Sequence, residues 1–191
     1  MNPISEVFDP QGALARVVKG FAPREEQLIM AEAVAETLAE DGRLVVEAGT
    51  GTGKTFAYLV PALLSGKKVI ISTGTKNLQD QLFKQDLPTV RKALARPVSA
   101  ALLKGRANYL CLYRYQRLAT DGRLSKPDMH KLALVKDWLT HNRSGDIADH
   151  EAIPEYDPIW PRITSTTENC LGADCPQVGD CHVLEARRAA Q

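Results

Sequence analysis

The stretch "LVVEAGTGTGKTFAYLVPALL", Leu44 to Leu64, sets a short apolar run against glycine and threonine, then returns to apolar residues. Leu44, Val45 and Val46 read as a short buried strand, and Phe56, Leu59, Val60, Leu63 and Leu64 recur at helical spacing. Gly49, Gly51 and Gly53 therefore stand between a strand and a helix. In that context G-x-x-x-x-G-K-[ST] is a phosphate loop: backbone N–H groups of the turn and the helix start face a polyphosphate, Lys54 reaches its β/γ-phosphates, and Thr55 offers a hydroxyl to Mg²⁺. The candidate nucleotide loop is Ala48, Gly49, Thr50, Gly51, Thr52, Gly53, Lys54 and Thr55, with Lys54 and Thr55 as the groups that act on the phosphates. Ala48 stands where the general pattern has its first glycine, so φ there must stay negative. An ordinary glycine-rich turn is the bland alternative; strand, glycines, lysine and threonine in order weigh against it.

Around this loop the chain alternates. A helix with apolar positions Leu28, Ala31, Ala35 and Leu38 runs to Gly42, which suits the C′ position. After the loop and its helix comes a second strand in "KKVIIST", Lys67 to Thr73. A helix follows through "NLQDQLFKQD" and stops at Pro88; another runs from Thr89 to Ala95, and a third strand lies near Val98 to Leu103. Strands alternating with helices predict a parallel, doubly wound sheet with helices on both faces and the ligand at the strands' carboxyl ends. Beyond Lys104 the pattern becomes helical, with helices from Leu112 to Leu118 and from about Asp128 to His141. A loop-rich stretch follows from Ser144 to Pro161. This second half reads as an insertion on the α/β core.

The 191 residues, 44% hydrophobic and 25% charged, describe a globular chain with one sizeable core and room for a small module. No apolar run approaches the ~20 residues of a membrane span, and "MNPISEVFDP" has no signal-peptide pattern, so a cytoplasmic location is expected. The net charge of +1 hides a basic segment. Between Lys84 and Lys126, bases such as Lys104, Arg106, Arg114 and Arg117 far outnumber Asp86 and Asp121, and Tyr109, Tyr113 and Tyr115 lie among them. Mixed basic and aromatic surfaces suit single-stranded nucleic acid. A solvated helical face whose tyrosines pack inward is the competing reading.

The cysteines are the next signal. "CLGADCPQVGDC" places Cys170, Cys175 and Cys181 on one loop, with Cys111 far upstream. In a reducing compartment such a set points to metal ligation. The spacing is looser than that of zinc knuckles and suits ligands spread over the corners of a cluster. Zinc on all four cysteines, zinc on three cysteines with His182, and buried unliganded thiols are the alternatives.

"FAPREEQLIM" (Phe21 to Met30), "AGTGTGKT" (Ala48 to Thr55), "ISTGTKNLQDQL" (Ile71 to Leu82), "KGRANYLC" (Lys104 to Cys111) and the cysteine cluster ending in "CHVLEARRAA" together resemble the start of a superfamily 2 DNA helicase. More closely they resemble the XPD-like iron–sulfur helicases, bacterial DinG/YoaA group, whose loop pattern A-x-x-G-x-G-K-T has alanine where Ala48 stands. The resemblance covers nearly the whole chain. It implies a P-loop NTPase (RecA-like) α/β motor domain over residues 1–104, a helical iron–sulfur insertion over 105–185 and a return to the motor domain from 186. It further implies that Gln27, with Arg24 nearby, reads the adenine edge, a task suited to an amide with donor and acceptor. Ser72, Thr73 and Thr75 match the motif that holds the single-strand backbone, a helix N-cap being their plain structural role. Cys111, Cys170, Cys175 and Cys181 match the family's ligands to a [4Fe-4S] cluster, and Arg106 becomes the leading DNA contact, with Lys104, Tyr109, Arg114 and Arg117 around it.

The resemblance thus implies the ATP-, Mg²⁺- and DNA-binding front of a helicase moving 5′ to 3′ on single-stranded or forked DNA. Repair or replication, a protein partner in it and a nucleoid-associated location are the implied setting. No apolar strand ends in the acidic pair that phosphoryl transfer needs, and "ADHEA" (Ala148 to Ala152) follows no strand. The chain is therefore expected to be an N-terminal fragment or truncated product, inactive alone. A non-catalytic metal- and nucleic-acid-binding module with a regulatory role is the rival, and a small-molecule kinase a weaker third.

Overall fold

The structure, a computed structural model, describes residues 3–191. The chain divides into two compact units, one ending at Ser99 and one spanning Ala100–Gln191. The division falls shortly before Lys104, where the sequence pattern changes, and the last residues belong with the second unit.

In the first unit α1 (Pro3–Phe8), α2 (Ala13–Val17), α3 (Glu25–Ala39), α4 (Lys54–Leu64), α5 (Lys76–Gln81) and α6 (Leu87–Leu94) enclose one core. Leu14, Ala31, Ala57, Leu59, Val60 and Val90 are buried there, so the apolar stripes of α3, α4 and α6 are what hold the unit together. The end of α3 differs in detail from the sequence reading. Asp41, at φ 53°, takes the left-handed position after the C-cap Glu40, and the Gly42 N–H closes back to the Thr37 carbonyl at 2.9 Å. Gly42 is thus C″ of a Schellman closure and not C′.

Pro88 does not stop the helix before it. Between α5 and α6 the backbone stays helical but widens into a π turn, Leu82–Asp86, in which the Leu87 N–H donates to the Leu82 carbonyl. Pro88 enters the first turn of α6, where its missing N–H is tolerated, and the π turn adjusts the ladder ahead of it.

The three expected strands are extended segments with no ladder among the described residues; Tyr109–Asp146 and Leu110–Thr164 are isolated bridges in the second unit. A strand exists only by pairing, and here Val45 is 97% and Ile70 90% exposed. Local pattern predicted the apolar runs, but a parallel pair is decided by what lies beside them.

The second unit holds α7 (Leu112–Ala119), α8 (Lys126–Trp138), α9 (Trp160–Ile163) and α10 (His182–Ala189). Leu110, Val135, Ile153, Ile159, Trp160 and Ile163 form its core. Ser125 caps α8 by accepting from the Asp128 N–H at 3.2 Å, and Pro127 sits in the first turn, so α8 starts two residues before the expected Asp128. Trp138, His150 and Trp160 pack ring to ring, with centroids 5.3 to 6.4 Å apart.

Candidate nucleotide loop and cysteine centre

Gly51 and Gly53 have φ of 80° and 78°, left-handed values that a side chain strains to adopt. Gly53 is the N-cap of α4, so the turn hands directly to the helix start expected of a phosphate loop. The Lys54 ammonium lies on its own loop, 2.8 Å from the Ala48 carbonyl and 2.5 Å from that of Gly49. A polyphosphate offers the same cation oxygens of higher charge, so Lys54 is placed to exchange carbonyls for phosphates. Thr52 donates to the Gly49 carbonyl at 3.1 Å and tightens the turn.

Two residues expected to face adenine hold this loop. The buried Gln27 amide donates to the Gly53 carbonyl at 2.9 Å, and the Arg24 guanidinium donates to the Gly51 carbonyl. Both lie at the start of α3, and α3 packs on α4. Gln27 has a second N–H and a carbonyl oxygen left for a base. Thr75 caps α5, its hydroxyl accepting from the Leu78 N–H at 3.3 Å, and Thr73 donates to the Thr75 carbonyl at 3.2 Å. The helix-cap role of this motif is present; Ser72 is exposed beside it.

In the second unit the basic residues separate. Lys104 and Tyr109, expected at a DNA-facing surface, lie instead in the interior. The Lys104 side chain is 1% exposed and pairs with Asp146 at 2.8 Å, and the Lys104 N–H donates to the Tyr109 hydroxyl at 2.9 Å. Burial with this pair fixes the loop that leads to Cys111. Burial also pushes the Tyr109 phenol up, with the Asp146 charge acting in the same direction. Arg106 donates to the Cys170 sulfur at 3.0 Å, and Arg114 is half-buried. Arg117 is exposed, its guanidinium 5.7 Å from the Tyr113 ring centre. Tyr115 turns inward and donates to the Leu132 carbonyl at 3.2 Å, as the packed-face reading holds for it.

The four cysteines are free thiols, all half-buried. Cys111 and Cys181 are the N-caps of α7 and α10. Cys170 accepts from Arg106 and, at 3.4 Å, from the Gly172 N–H. Burial pushes the Cys111 thiol up; the N–H groups of Arg114 and Tyr113 oppose this, and Cys175 and Cys181 are close enough to add to it. Among the described residues no group of three or more His, Cys, Asp or Glu stands in an arrangement that could hold a metal ion. The donor types are those of a thiolate-held centre: the helix starts at Cys111 and Cys181 and the N–H donors on Cys170 act towards S⁻, against the burial that raises the Cys111 thiol. His182 is packed instead, since a Cβ added at Gly145 would lie 2.3 Å from its ring.

Residues 28–109 match the DEAD/DEAH box helicase family model. The chain is 51% identical over 190 residues to the ATP-dependent DNA helicase YoaA of Haemophilus influenzae, covering 99% of this chain and 30% of that protein. The Escherichia coli YoaA is 50% identical over 188 residues, 98% of this chain and 30% of that protein. The 3'-5' exonuclease DinG of Bacillus subtilis is 36% identical over 159 residues, 79% of this chain and 17% of that protein.

The chain belongs to the DEAD/DEAH box helicases, in the YoaA/DinG group. Membership implies a P-loop NTPase fold, in keeping with the turn at Gly51–Thr55. The chain spans 30% of the length of both YoaA relatives. No described helix is long and apolar enough to cross a membrane.

Proposed function

We propose that this chain is the ATP- and DNA-binding front of an ATP-dependent helicase that moves 5′ to 3′ on single-stranded or forked DNA in repair or replication. The phosphate loop carries this reading: left-handed Gly51 and Gly53, Lys54 on the loop carbonyls, and Gln27 and Arg24 bracing the turn. Lys54 meets the β/γ-phosphates, Thr55 orients Mg²⁺, and the free N–H and oxygen of Gln27 meet the base. Ser72, Thr73 and Thr75 hold strand phosphates; in the second unit Arg117 and the half-buried Arg106 and Arg114 supply positive charge. Cys111, Cys170, Cys175 and Cys181 would hold a [4Fe-4S] cluster, which ties the start of the second unit to its end. The setting is the cytoplasm at the nucleoid, beside a replication or repair protein.

Binding without turnover is the expected behaviour of the 191-residue chain, because its loop supplies ground-state phosphate contacts and no acidic pair to orient water. Isothermal titration with Mg²⁺–ATP should give saturable binding that Lys54→Ala abolishes. Absence of binding in the wild type, or equal binding by Lys54→Ala, overturns the reading.

A further inference from the structure

Cys111 and Cys181 lie far apart in the sequence, yet each is next in the chain to a residue that rests on Gly145. The Leu110 N–H donates to the Gly145 carbonyl at 2.8 Å, and Leu110 leads directly into Cys111, the N-cap of α7. From the other side comes His182, the first residue of α10 and the one after its N-cap Cys181. His182 is 9% exposed, and its ring lies so close to Gly145 that a Cβ there would be 2.3 Å from both Cγ and Cδ2. Only glycine suits the place: φ is 64°, a left-handed value, and any side chain would meet the ring.

The turn that carries Gly145 is itself fixed. The Gly145 N–H donates to Asn142 Oδ1 at 2.8 Å, and the Asp146 N–H donates to Ser144 Oγ at 3.1 Å. The Asp146 carboxylate accepts from the Ala148 N–H at 3.1 Å while it pairs with buried Lys104. A held turn gives both cysteine-bearing segments a common reference. Cys111 has a second anchor, its own N–H donating to the Ile163 carbonyl at 2.8 Å. Neither contact on Gly145 touches sulfur; both act on where the sulfur-bearing backbone stands, as the groups behind metal ligands do.

We propose that Gly145 is a positioning residue for the cysteine centre: its carbonyl sets the approach to Cys111, and its bare Cα seats His182 and so places Cys181. His182 then serves as the foot of α10 and not as a ligand, which leaves the centre to thiolates. A side chain at residue 145 pushes the ring, and with it the start of α10, away from the segment that carries Cys111.

This rests on the metal centre proposed above, and the test separates the two. Co²⁺ alone is titrated anaerobically into the full 191-residue chain freed of metal, and binding is read from thiolate-to-cobalt charge-transfer absorption. Gly145→Ala should weaken Co²⁺ binding by about tenfold or more, the usual effect of disturbing a group behind the ligands. In a His182→Ala background the same substitution should do much less, because the ring it meets is gone. His182→Ala by itself should weaken binding with the shape of the absorption unchanged, since the ligand set is the same. Circular dichroism checks the fold of each variant. Gly145→Asn, which takes a left-handed φ more readily but still carries a Cβ, replaces Gly145→Ala if that variant does not fold. Unchanged affinity in folded Gly145→Ala or folded His182→Ala overturns the inference. Equal losses from Gly145→Ala in the two backgrounds trace the effect to φ alone and overturn it too, as does an altered absorption in His182→Ala, which would make His182 a ligand. Absence of any thiolate–cobalt absorption in the wild type overturns the cysteine centre, and the inference with it.

Discussion

The Gln27 side-chain amide donates to the Gly53 carbonyl across 2.9 Å, tying the first turn of α3 to the N-cap of α4. The close approach is possible only because residue 53 has no side chain: a Cβ there would lie 2.0 Å from Gln27 Nε2. A residue expected to read the base thus also sets the shape of the loop expected to hold the phosphates.

Gly53→Ala should therefore impair nucleotide binding more than it impairs folding. The displaced Gln27 is a flexible side chain, but φ of 78° is not relieved by any side-chain movement. A strained φ/ψ costs on the order of 1–3 kcal/mol, or about fivefold or more in ATP Kd if the loop relaxes to avoid it. Titration calorimetry beside a thermal melt checks this; unchanged ATP affinity would show that the left-handed turn is dispensable.

The Lys104–Asp146 pair, with side chains 1% and 7% exposed, should behave as a buried ion pair. Lys104→Met leaves a carboxylate without its partner in the interior, and breaking such pairs costs about 3–5 kcal/mol. The double variant Lys104→Met/Asp146→Leu should recover most of that loss, because an apolar pair of similar volume is often neutral. Urea unfolding followed by tryptophan fluorescence reads the effect in the second unit, which holds Trp138 and Trp160. A Lys104→Met loss below about 1 kcal/mol, the range of exposed pairs, would contradict the burial.

His150 should make the second unit acid-sensitive. Burial pushes its imidazole below the usual histidine range, against the opposing effect of nearby backbone groups, and Nδ1 accepts from the Ile153 N–H at 3.0 Å. The folded state favours the neutral ring, so the unfolded chain binds the proton more readily. Stability is then fully present above the ordinary value near 6.5 and declines as pH falls below it, by at most about 1.4 kcal/mol per pH unit. His150→Asn, which keeps an acceptor near Ile153, should show a smaller drop in urea midpoint between pH 7.5 and 5.5 than the wild type. An equal drop in the two proteins removes His150 from the account.

Anaerobically purified chain should be brown, and Cys111→Ser should lose colour and iron while the first unit keeps its nucleotide binding. Because Cys111 is the upstream member of the set, its loss opens the longest loop the centre would close. A colourless wild-type protein with one tightly held zinc would replace the iron–sulfur assignment by a zinc site on the same thiols.

Arg106 donates to the Cys170 sulfur, which leaves its remaining N–H groups for phosphate. On a log–log plot of oligo-dT affinity against salt, Arg106→Ala should flatten the slope by about 0.7 if one phosphate contact is lost. Folded Arg106→Ala with an unchanged slope would confine this residue to the cysteine centre.

Sequence alone determined what depends on near neighbours. The glycine turn ahead of α4 was legible because glycines free to take left-handed φ, then a lysine and a threonine, follow one another at fixed spacing; Gly51 and Gly53 take those φ values and Lys54 opens the helix. The helices of α3, α4, α7 and α8 were legible for the same reason, since 3.6-residue periodicity is a local property. What only the tertiary structure decided were the partners of charged and polar groups. Nothing near Lys104 in the chain distinguishes it from exposed Arg117, yet one is buried on Asp146 and the other faces solvent, because a counter-charge far along the chain makes burial affordable only for the first. Arg106 meets Cys170 and Gln27 meets Gly53 by the same long-range placement, 64 and 26 positions apart. The runs around Val45 and Ile70 have strand composition, but pairing is a relation between segments, and in this chain those segments extend without pairing.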